Sequence, residues 1–310
     1  MLTNHAKGIY LALITALISG ISIFVNKFAV GAIQPPLVFT ATKNVGVGLL
    51  IVGIILATRK WRLIRNLNRR EIIYLILIGI IGGSIPFYLY FTGLSQIPAI
   101  NAALIHKTLV VWVALLAMPL LKERLSRMQI VAVLLLFISN FFVGGFKGFT
   151  FSQGELFVLI ATIFWAVENI LAKKILIATC PDSIGVDPDI VTAARMGFGS
   201  LILLGAAVIV APSGLAKVTA LNSTQWFWMI LTVVILLCYV MSWYRALKFA
   251  PAITVASVLV AGTLVTNVLS ALFVTHTWNS TLLIQSLVML LGVGIFFFAM
   301  KKEWHYTSTN

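Results

Sequence analysis

The chain has 310 residues, of which 61% are hydrophobic and only 10% are charged, and its mean hydropathy is +1.07. Soluble domains carry about a quarter charged residues, so this composition excludes a water-soluble globular core and indicates a protein that crosses the lipid bilayer repeatedly. The formal net charge of +14 is compatible with nucleic-acid binding or with another anionic partner, so the positions of the charges matter.

Ten apolar stretches are long enough to cross a bilayer, because a spanning helix needs roughly 20 apolar residues. The connections between them are too short for a soluble domain. We therefore predict an all-α membrane protein with ten transmembrane helices, at approximately residues 8–30, 36–57, 72–93, 99–121, 128–145, 154–177, 190–211, 226–247, 252–275 and 282–300.

Lysine and arginine residues concentrate on one side of these spans. With the N-terminus in the cytoplasm, sixteen of the 22 lie on the inner side, including a basic run within residues 59–70, and two lie outside. This asymmetry follows the positive-inside rule and predicts that both termini are cytoplasmic. We interpret the basic run as a topology signal, with contact to anionic lipids following from the same charges, and expect no nucleic-acid partner.

The sequence contains an internal repeat. Residues 94–100 and 247–253, 153 positions apart, both read L-x-x-x-P-A-I, and each string joins two apolar stretches. Chance similarity between apolar segments is disfavoured because the matches fall in corresponding spans and include a proline and a cation. Further matches pair Thr40-Ala41-Thr42-Lys43 with Thr192-Ala193-Ala194-Arg195, and Lys27 with Lys173.

Each half of the chain, residues 1–147 and 148–310, holds five predicted spans. Five is an odd number, so the second half must be inverted relative to the first. Inverted repeats produce two conformations of equal plan, each open to one side, which is how alternating access arises. Transport is therefore the leading hypothesis for the function.

The segment Leu121-Lys122-Glu123-Arg124-Leu125-Ser126 is similar to the L-G-E-R-L-S element of the drug/metabolite transporter superfamily, and the chain resembles that superfamily's EamA-type ten-helix members. The equivalent segment of the second half, residues 275–279, has neither Glu nor Arg. The resemblance implies spans one to four and six to nine around a central cavity, with spans five and ten at the periphery. It also implies an exporter in the plasma (inner) membrane of a prokaryote.

Charged residues inside the spans are the first candidates for a site, because a charge at bilayer depth is costly and faces a cavity or a partner. Lys27 lies near the outer end of its span, where we expect its side chain to snorkel to the interface. Lys43 lies about 10 Å from the outer boundary, too deep for this. The remaining charges within spans are Lys107, Glu168 and Arg195.

Glu168 and Arg195 lie at compatible depths, and we predict a pair that either locks spans six and seven together or acts as a gate. Lys107 has no carboxylate near it in sequence, so it either pairs with Glu168 across the cavity or meets the negative end of a substrate. The preceding residue, His106, titrates near neutral pH when unperturbed, which leaves proton coupling open. A hydrogen-bonded structural histidine is the more common case.

Trp165, Glu168 and Asn169 share one face of span six, and such a stripe either lines the path or bonds to a neighbouring helix. No metal-ligand spacing, nucleotide-binding loop or catalytic arrangement is visible, so we expect neither a cofactor nor an enzyme. The predicted cavity residues are Lys43, His106, Lys107, Trp165, Glu168, Asn169 and Arg195.

These residues favour a secondary transporter, in which Lys43 or Lys107 meets a substrate carboxylate and Trp165 forms an apolar wall. Amino acids and related zwitterions are the expected substrates. The excess of intramembrane cations supports an alternative, an exchanger for phosphorylated or other anionic solutes, while a non-transporting membrane interaction protein would not need deep cations. The expected partners are a small-molecule substrate and the lipid bilayer, and the glycine runs suit a homodimer as well as packing within one chain.

Overall fold

The computed structural model describes residues 4–124, 126–139, 148–177, 185–276 and 280–308, and every regular element in them is helical. A 3₁₀ turn, Lys217–Ala220, and a short π-helix, Ala271–Thr275, accompany fifteen α-helices. The helices are α1 (Asn4–Ala32), α2 (Pro36–Ala57), α3 (Trp61–Ile64), α4 (Arg69–Gly83), α5 (Ile85–Gln96), α6 (Ala99–Lys107), α7 (Leu109–Leu121), α8 (Arg127–Ser139), α9 (Gln153–Leu176), α10 (Pro188–Val210), α11 (Pro212–Ala216), α12 (Ser223–Phe249), α13 (Ala252–Leu259), α14 (Gly262–Ser270) and α15 (Ser280–Ser308).

Eight helical stretches among the described residues are long and apolar enough to cross a membrane, which confirms an all-α integral membrane protein. Residues 128–139 of the predicted fifth span lie in α8, and its residues 140–145 lie outside the described part of the chain. The predicted tenth span lies in α15, whose apolar stretch is Leu283–Ile295. The total of ten spans and the cytoplasmic termini stay predictions. The eight stretches are Ala6–Ala32, Pro36–Ala57, Arg69–Gln96, Ala99–Leu121, Gln153–Leu176, Pro188–Val210, Ser223–Phe249 and Ala252–Thr275.

The helices begin where the sequence supplies caps. Asn68 accepts a hydrogen bond from the backbone of Glu71, whose side chain bonds back to the Asn68 amide, so a capping box starts α4. Asn222 and Gln225 form the same arrangement at α12. Proline occupies the first turn of α2, α5 and α10, where a missing N–H costs nothing.

Three predicted spans are each built from two helices. The third breaks between α4 and α5 at Ser84, which has φ −122° and ψ −77°. The fourth breaks at Thr108 and the ninth at Val260 and Ala261, which are corresponding positions in the two halves of the chain. Broken helices place backbone carbonyl groups inside the bundle, which a membrane protein tolerates only where other groups bond to them.

The two halves pack against each other through equivalent helices. The first helix of one half, α1, lies along α12 of the other, and α9 correspondingly lies along α5. At the periphery, α8 packs mainly against α15. The second spans also meet, because α2 lies along α10, and α10 packs against α4 as well. The interface between the halves is therefore formed by the first three spans of each, and the candidate site lies there.

Candidate functional site

A small cavity of about 60 Å³, measured as the space open to water-sized molecules, lies between the two halves. Its walls come from α1, α2, α5, α6, α7, α9, α10 and α12, so both halves contribute to it. Six aromatic side chains form most of the apolar wall, namely Phe87, Tyr90, Phe91, Trp165, Tyr239 and Trp243.

The wall around Trp165 is packed edge to face. The ring of Trp165 lies 5.3 Å from that of Tyr90, 5.3 Å from that of His106 and 5.4 Å from that of Phe87, measured between centroids. Such aromatic contacts hold side chains in fixed positions. The hydroxyl of Tyr90 and Nδ1 of His106 are buried here without a hydrogen-bond partner in the described part of the chain.

Lys43 places a buried cation at one wall. Its Nζ lies 3.4 Å from the centroid of the Phe91 ring and 4.8 Å from that of Phe39, and it donates to Oδ1 of Asn26 at 3.0 Å. The Asn26 amide is itself fixed by a 2.7 Å bond to the carbonyl of Ser22. Among the described residues, no carboxylate lies within ion-pair distance of Lys43. Cation–π contacts only partly replace a counter-charge, so this wall attracts anionic groups.

Glu168 and Arg195 face each other at another wall, as their depths in the sequence predict. Nη1 of Arg195 lies 3.6 Å from Oε2 of Glu168, and both side chains are buried. Tyr244 joins the pair, because its hydroxyl donates to Oε1 of Glu168 and accepts from Nη1 of Arg195 at 3.4 Å. Sequence reasoning missed Tyr244, since it lies 76 residues from Glu168 on another helix.

The carbonyl oxygen of Gly82 anchors this wall to the break between α4 and α5. It accepts hydrogen bonds from Nε1 of Trp165 at 3.0 Å and from Nε of Arg195 at 3.2 Å. In an uninterrupted helix this carbonyl would bond to the amide four residues on, but that position is Pro86, which has no N–H. The Gly82 carbonyl is therefore free to orient two cavity side chains.

Asn169 and His106 line the cavity, whereas Lys107 does not. Oδ1 of Asn169 accepts from Nε1 of Trp243 at 2.7 Å. Consecutive helical residues point about 100° apart, so His106 faces the cavity while Lys107 is turned towards α1, where its Nζ donates to Ser19 at 2.9 Å. Lys107 therefore contacts a cavity-lining residue, Ser19, and forms no ion pair with Glu168 among the described residues. Its predicted contact with a substrate stays a prediction.

Lys27 is bound at the end of the third span. Its Nζ donates to the carbonyl oxygens of Leu94 at 2.9 Å and Ile97 at 2.8 Å. The two backbone carbonyl oxygens thus take the place of water as hydrogen-bond acceptors for the Lys27 ammonium group.

A charged cluster joins the two halves at one end of the bundle. Nζ of Lys60, in the connection after α2, lies 2.9 Å from Asp187 and 2.6 Å from Asp189, and Arg245 contacts Asp189 at 2.7 Å. Partial burial of Lys60 disfavours its charge, but the hydrogen bonds and charges of Asp189 and Asp187 outweigh this and raise the pKa of Lys60. The four residues, called the Lys60 cluster below, tie the first half to the start of α10.

Glu123 makes a second connection between the halves. Its two carboxylate oxygens accept from the backbone amides of Ala252 at 2.8 Å and Ile253 at 2.9 Å, in the first turn of α13. A carboxylate at a helix N-terminus is favoured both by hydrogen bonding and by the helix dipole. The acidic residue of the family-like element therefore holds a helix of the opposite half.

Comparisons with known proteins agree with this architecture. The chain is 25% identical over 174 residues to the uncharacterized transporter YyaM of Bacillus subtilis (strain 168), a match covering 54% of this chain and little more than half, 56%, of that protein. Its fold is similar to that of a protein of known crystal structure, with a TM-score of 0.68 and 17% identity over 91% of this chain and 98% of that one. The profile of the EamA-like transporter family matches residues 6–145 and again residues 152–298. Since these two matches cover both halves, the protein belongs to the EamA-like transporter family.

Proposed function

We propose that this protein is a secondary transporter that moves a small metabolite through the cavity by alternating access of its two halves. Family membership supports membrane transport in general. The observation that carries the proposal is the cavity itself, which both halves line and which has Lys43 at one wall and the Glu168–Arg195 pair at another. Intramembrane charges facing a cavity typically mark a substrate path.

Amino acids or related zwitterions are the substrates that this arrangement supports best. Lys43 offers an ammonium group to a carboxylate, because no acidic side chain of the described residues neutralises it. Oε2 of Glu168 has no hydrogen bond from any described residue and lies 3.6 Å from Nη1 of Arg195, so it can accept a substrate ammonium group. The aromatic wall suits the apolar remainder of such a molecule. Export across the plasma membrane is part of the proposal.

An exchanger for phosphorylated or other anionic solutes is the second candidate. Among the described residues that line the cavity, two are cations, Lys43 and Arg195, and one is a carboxylate, Glu168. A dianionic ligand would draw Arg195 away from Glu168 and bind both cations. The two candidates therefore differ in whether the substrate needs an ammonium group.

Counterflow into proteoliposomes tests the proposal. Vesicles preloaded separately with amino acids, organic phosphates or neutral sugars are given the labelled solute outside, and uptake is compared between the wild type and Lys43→Gln. Lys107→Gln is the matched control, because Lys107 is equally buried but is not itself among the residues that line the cavity. We expect amino-acid counterflow that Lys43→Gln abolishes and the control retains.

Counterflow of organic phosphates alone would favour the exchanger. No counterflow in any pool by protein that reconstitutes normally would contradict transport of these classes. Equal loss of counterflow in Lys43→Gln and Lys107→Gln would show that removing either buried lysine impairs the protein. That result would contradict a specific role of Lys43 at the cavity wall.

A further inference from the structure

A basic segment, residues 59–70, joins α2 to the first turn of α4 and presents five exposed arginines. Among the described residues, none of the five forms an ion pair. Glu71, the acidic residue next to the segment, accepts the backbone amide of Asn68 at 2.9 Å and serves as part of the α4 capping box. The arginines are Arg59, Arg62, Arg65, Arg69 and Arg70.

The backbone of the segment is fixed at both ends. Lys60 is held by Asp187 and Asp189 of the opposite half, and Asn68 is held by the capping box. Between them, the guanidinium groups of Arg65 and Arg62 lie 4.9 Å and 5.6 Å from the centroid of the Trp61 ring. The charges are thus displayed in a defined arrangement rather than on a loose loop.

The segment lies where two spanning helices meet the membrane boundary, since α2 ends at Ala57 and the next spanning stretch starts at Arg69. Leu63 and Ile64, beside the arginines, are 43% and 46% exposed. Tryptophan, exposed aliphatic side chains and arginines in one short stretch are typical of segments that lie in the headgroup region of a bilayer.

We propose that the basic segment binds the phosphate head groups of anionic phospholipids in the protein's own membrane. Clusters of four to eight cations next to a spanning helix attract anionic lipids. The choice of cation supports a binding site over a pure topology signal, because either lysine or arginine satisfies the positive-inside rule. Here the one lysine, Lys60, pairs with aspartates, whereas the five unpaired cations are all arginine, whose planar fork matches phosphate oxygens.

The experiment is lipid retention by the full-length protein, measured by native mass spectrometry from micelles holding equal amounts of phosphatidylglycerol and phosphatidylcholine. The double variant Arg62→Gln/Arg65→Gln is compared with Arg124→Gln/Arg127→Gln, which removes two exposed arginines, one from the connection after α7 and one at the start of α8. Each arginine near an anionic surface changes affinity about fivefold, so we expect the first variant to lose at least about tenfold in phosphatidylglycerol retention. The control should stay close to the wild type.

Equal retention by both variants and the wild type would overturn the proposal. Equal losses in both variants would also overturn it, because they would show general attraction to positive charge instead of a site. Displacement of phosphatidylglycerol by an equal concentration of glycerol 3-phosphate would contradict the assignment to a lipid and identify a site for free anions.

Discussion

Lys27 and Lys173 make the same contact in the two halves of the chain. Nζ of Lys27 lies 2.9 Å from the carbonyl oxygen of Leu94, and Nζ of Lys173 lies 2.6 Å from that of Leu247. Each lysine is near the end of the first spanning helix of its half, and each carbonyl lies near the end of the third. The two matches found in sequence, the paired lysines and the L-x-x-x-P-A-I strings, are therefore parts of one repeated structural unit.

The prolines of those strings explain the contact. Pro98 and Pro251 stand four residues after Leu94 and Leu247, at the positions whose amides would close the helical hydrogen bonds. Proline has no N–H, so both carbonyl oxygens lack an intrahelical donor. A backbone carbonyl without a hydrogen bond in the membrane costs on the order of several kcal/mol. In both halves the lysine ammonium group supplies the missing hydrogen bond.

Substitution of Lys173 by methionine should destabilise the protein. The change keeps an unbranched side chain but leaves the carbonyl oxygens of Leu247 and Ala250 without their donor, at a cost on the order of 1–3 kcal/mol. The measurement is the thermal unfolding midpoint in detergent. Lys174→Met is the control, because Lys174 is adjacent and less buried. A midpoint equally lowered by both substitutions would contradict the capping role of Lys173.

Glu123→Ala should expose the first turn of α13 to hydrogen exchange. The carboxylate accepts from the amides of Ala252 and Ile253, and loss of a helix cap costs on the order of 0.5–2 kcal/mol. We expect exchange at these amides to speed up by roughly two- to thirtyfold, read by mass spectrometry of peptides covering α13. In Arg124→Ala, which leaves the cap intact, the same peptides should exchange as in the wild type. Unchanged exchange in Glu123→Ala would show that the contact does not persist in solution.

On the alkaline side, the Lys60 cluster should keep its contribution to stability until the pH is high. Burial opposes the charge, but the bonds to Asp189 and Asp187 raise the pKa of Lys60 above its ordinary 10.5. A group whose pKa is raised on folding stabilises the folded state fully below the unfolded-state value, and this effect disappears as the pH passes the higher one. The stability difference between the wild type and Lys60→Gln, about 1 kcal/mol or less for so exposed a pair, should be constant from pH 7 to 9 and shrink above about 10.5. Unfolding midpoints at pH 7, 9 and 11 measure it, and a difference that already shrinks between pH 7 and 9 would contradict this origin.

Depth in the membrane could be read from the sequence, whereas rotation about a helix axis could not. Counting residues from the span ends placed Glu168 and Arg195 at one level, and the structure shows them in contact. The same counting placed Lys107 at cavity depth, but the cavity meets the face of α6 that carries His106, and Lys107 contacts the cavity-lining Ser19. Local spacing does not specify which face of α6 turns inward, since that depends on packing against the other half.

The breaks within spans were missed for a related reason. Continuous apolar runs predict single helices, and Thr108 has no proline or glycine beside it to indicate a break. In the third span, however, the sequence did carry a signal. Pro86 follows Gly82-Gly83 by a few residues, and a proline four positions after a glycine in an apolar run leaves a carbonyl free within the bundle.

Gly82→Ala should reduce transport without unfolding the protein. A Cβ at position 82 would overlap Cγ of Glu168 and lie 2.9 Å from its Cδ, so the flexible glutamate side chain would have to move away from Arg195 and Tyr244. Misplacing a site residue by about 1 Å can cost on the order of a hundredfold in rate, and we expect counterflow to fall at least about tenfold. Gly53→Ala is the control, because a Cβ there meets nothing within 4 Å. Normal counterflow in Gly82→Ala, at expression and unfolding midpoints equal to those of the control, would show that the position of Glu168 does not matter for the transport cycle.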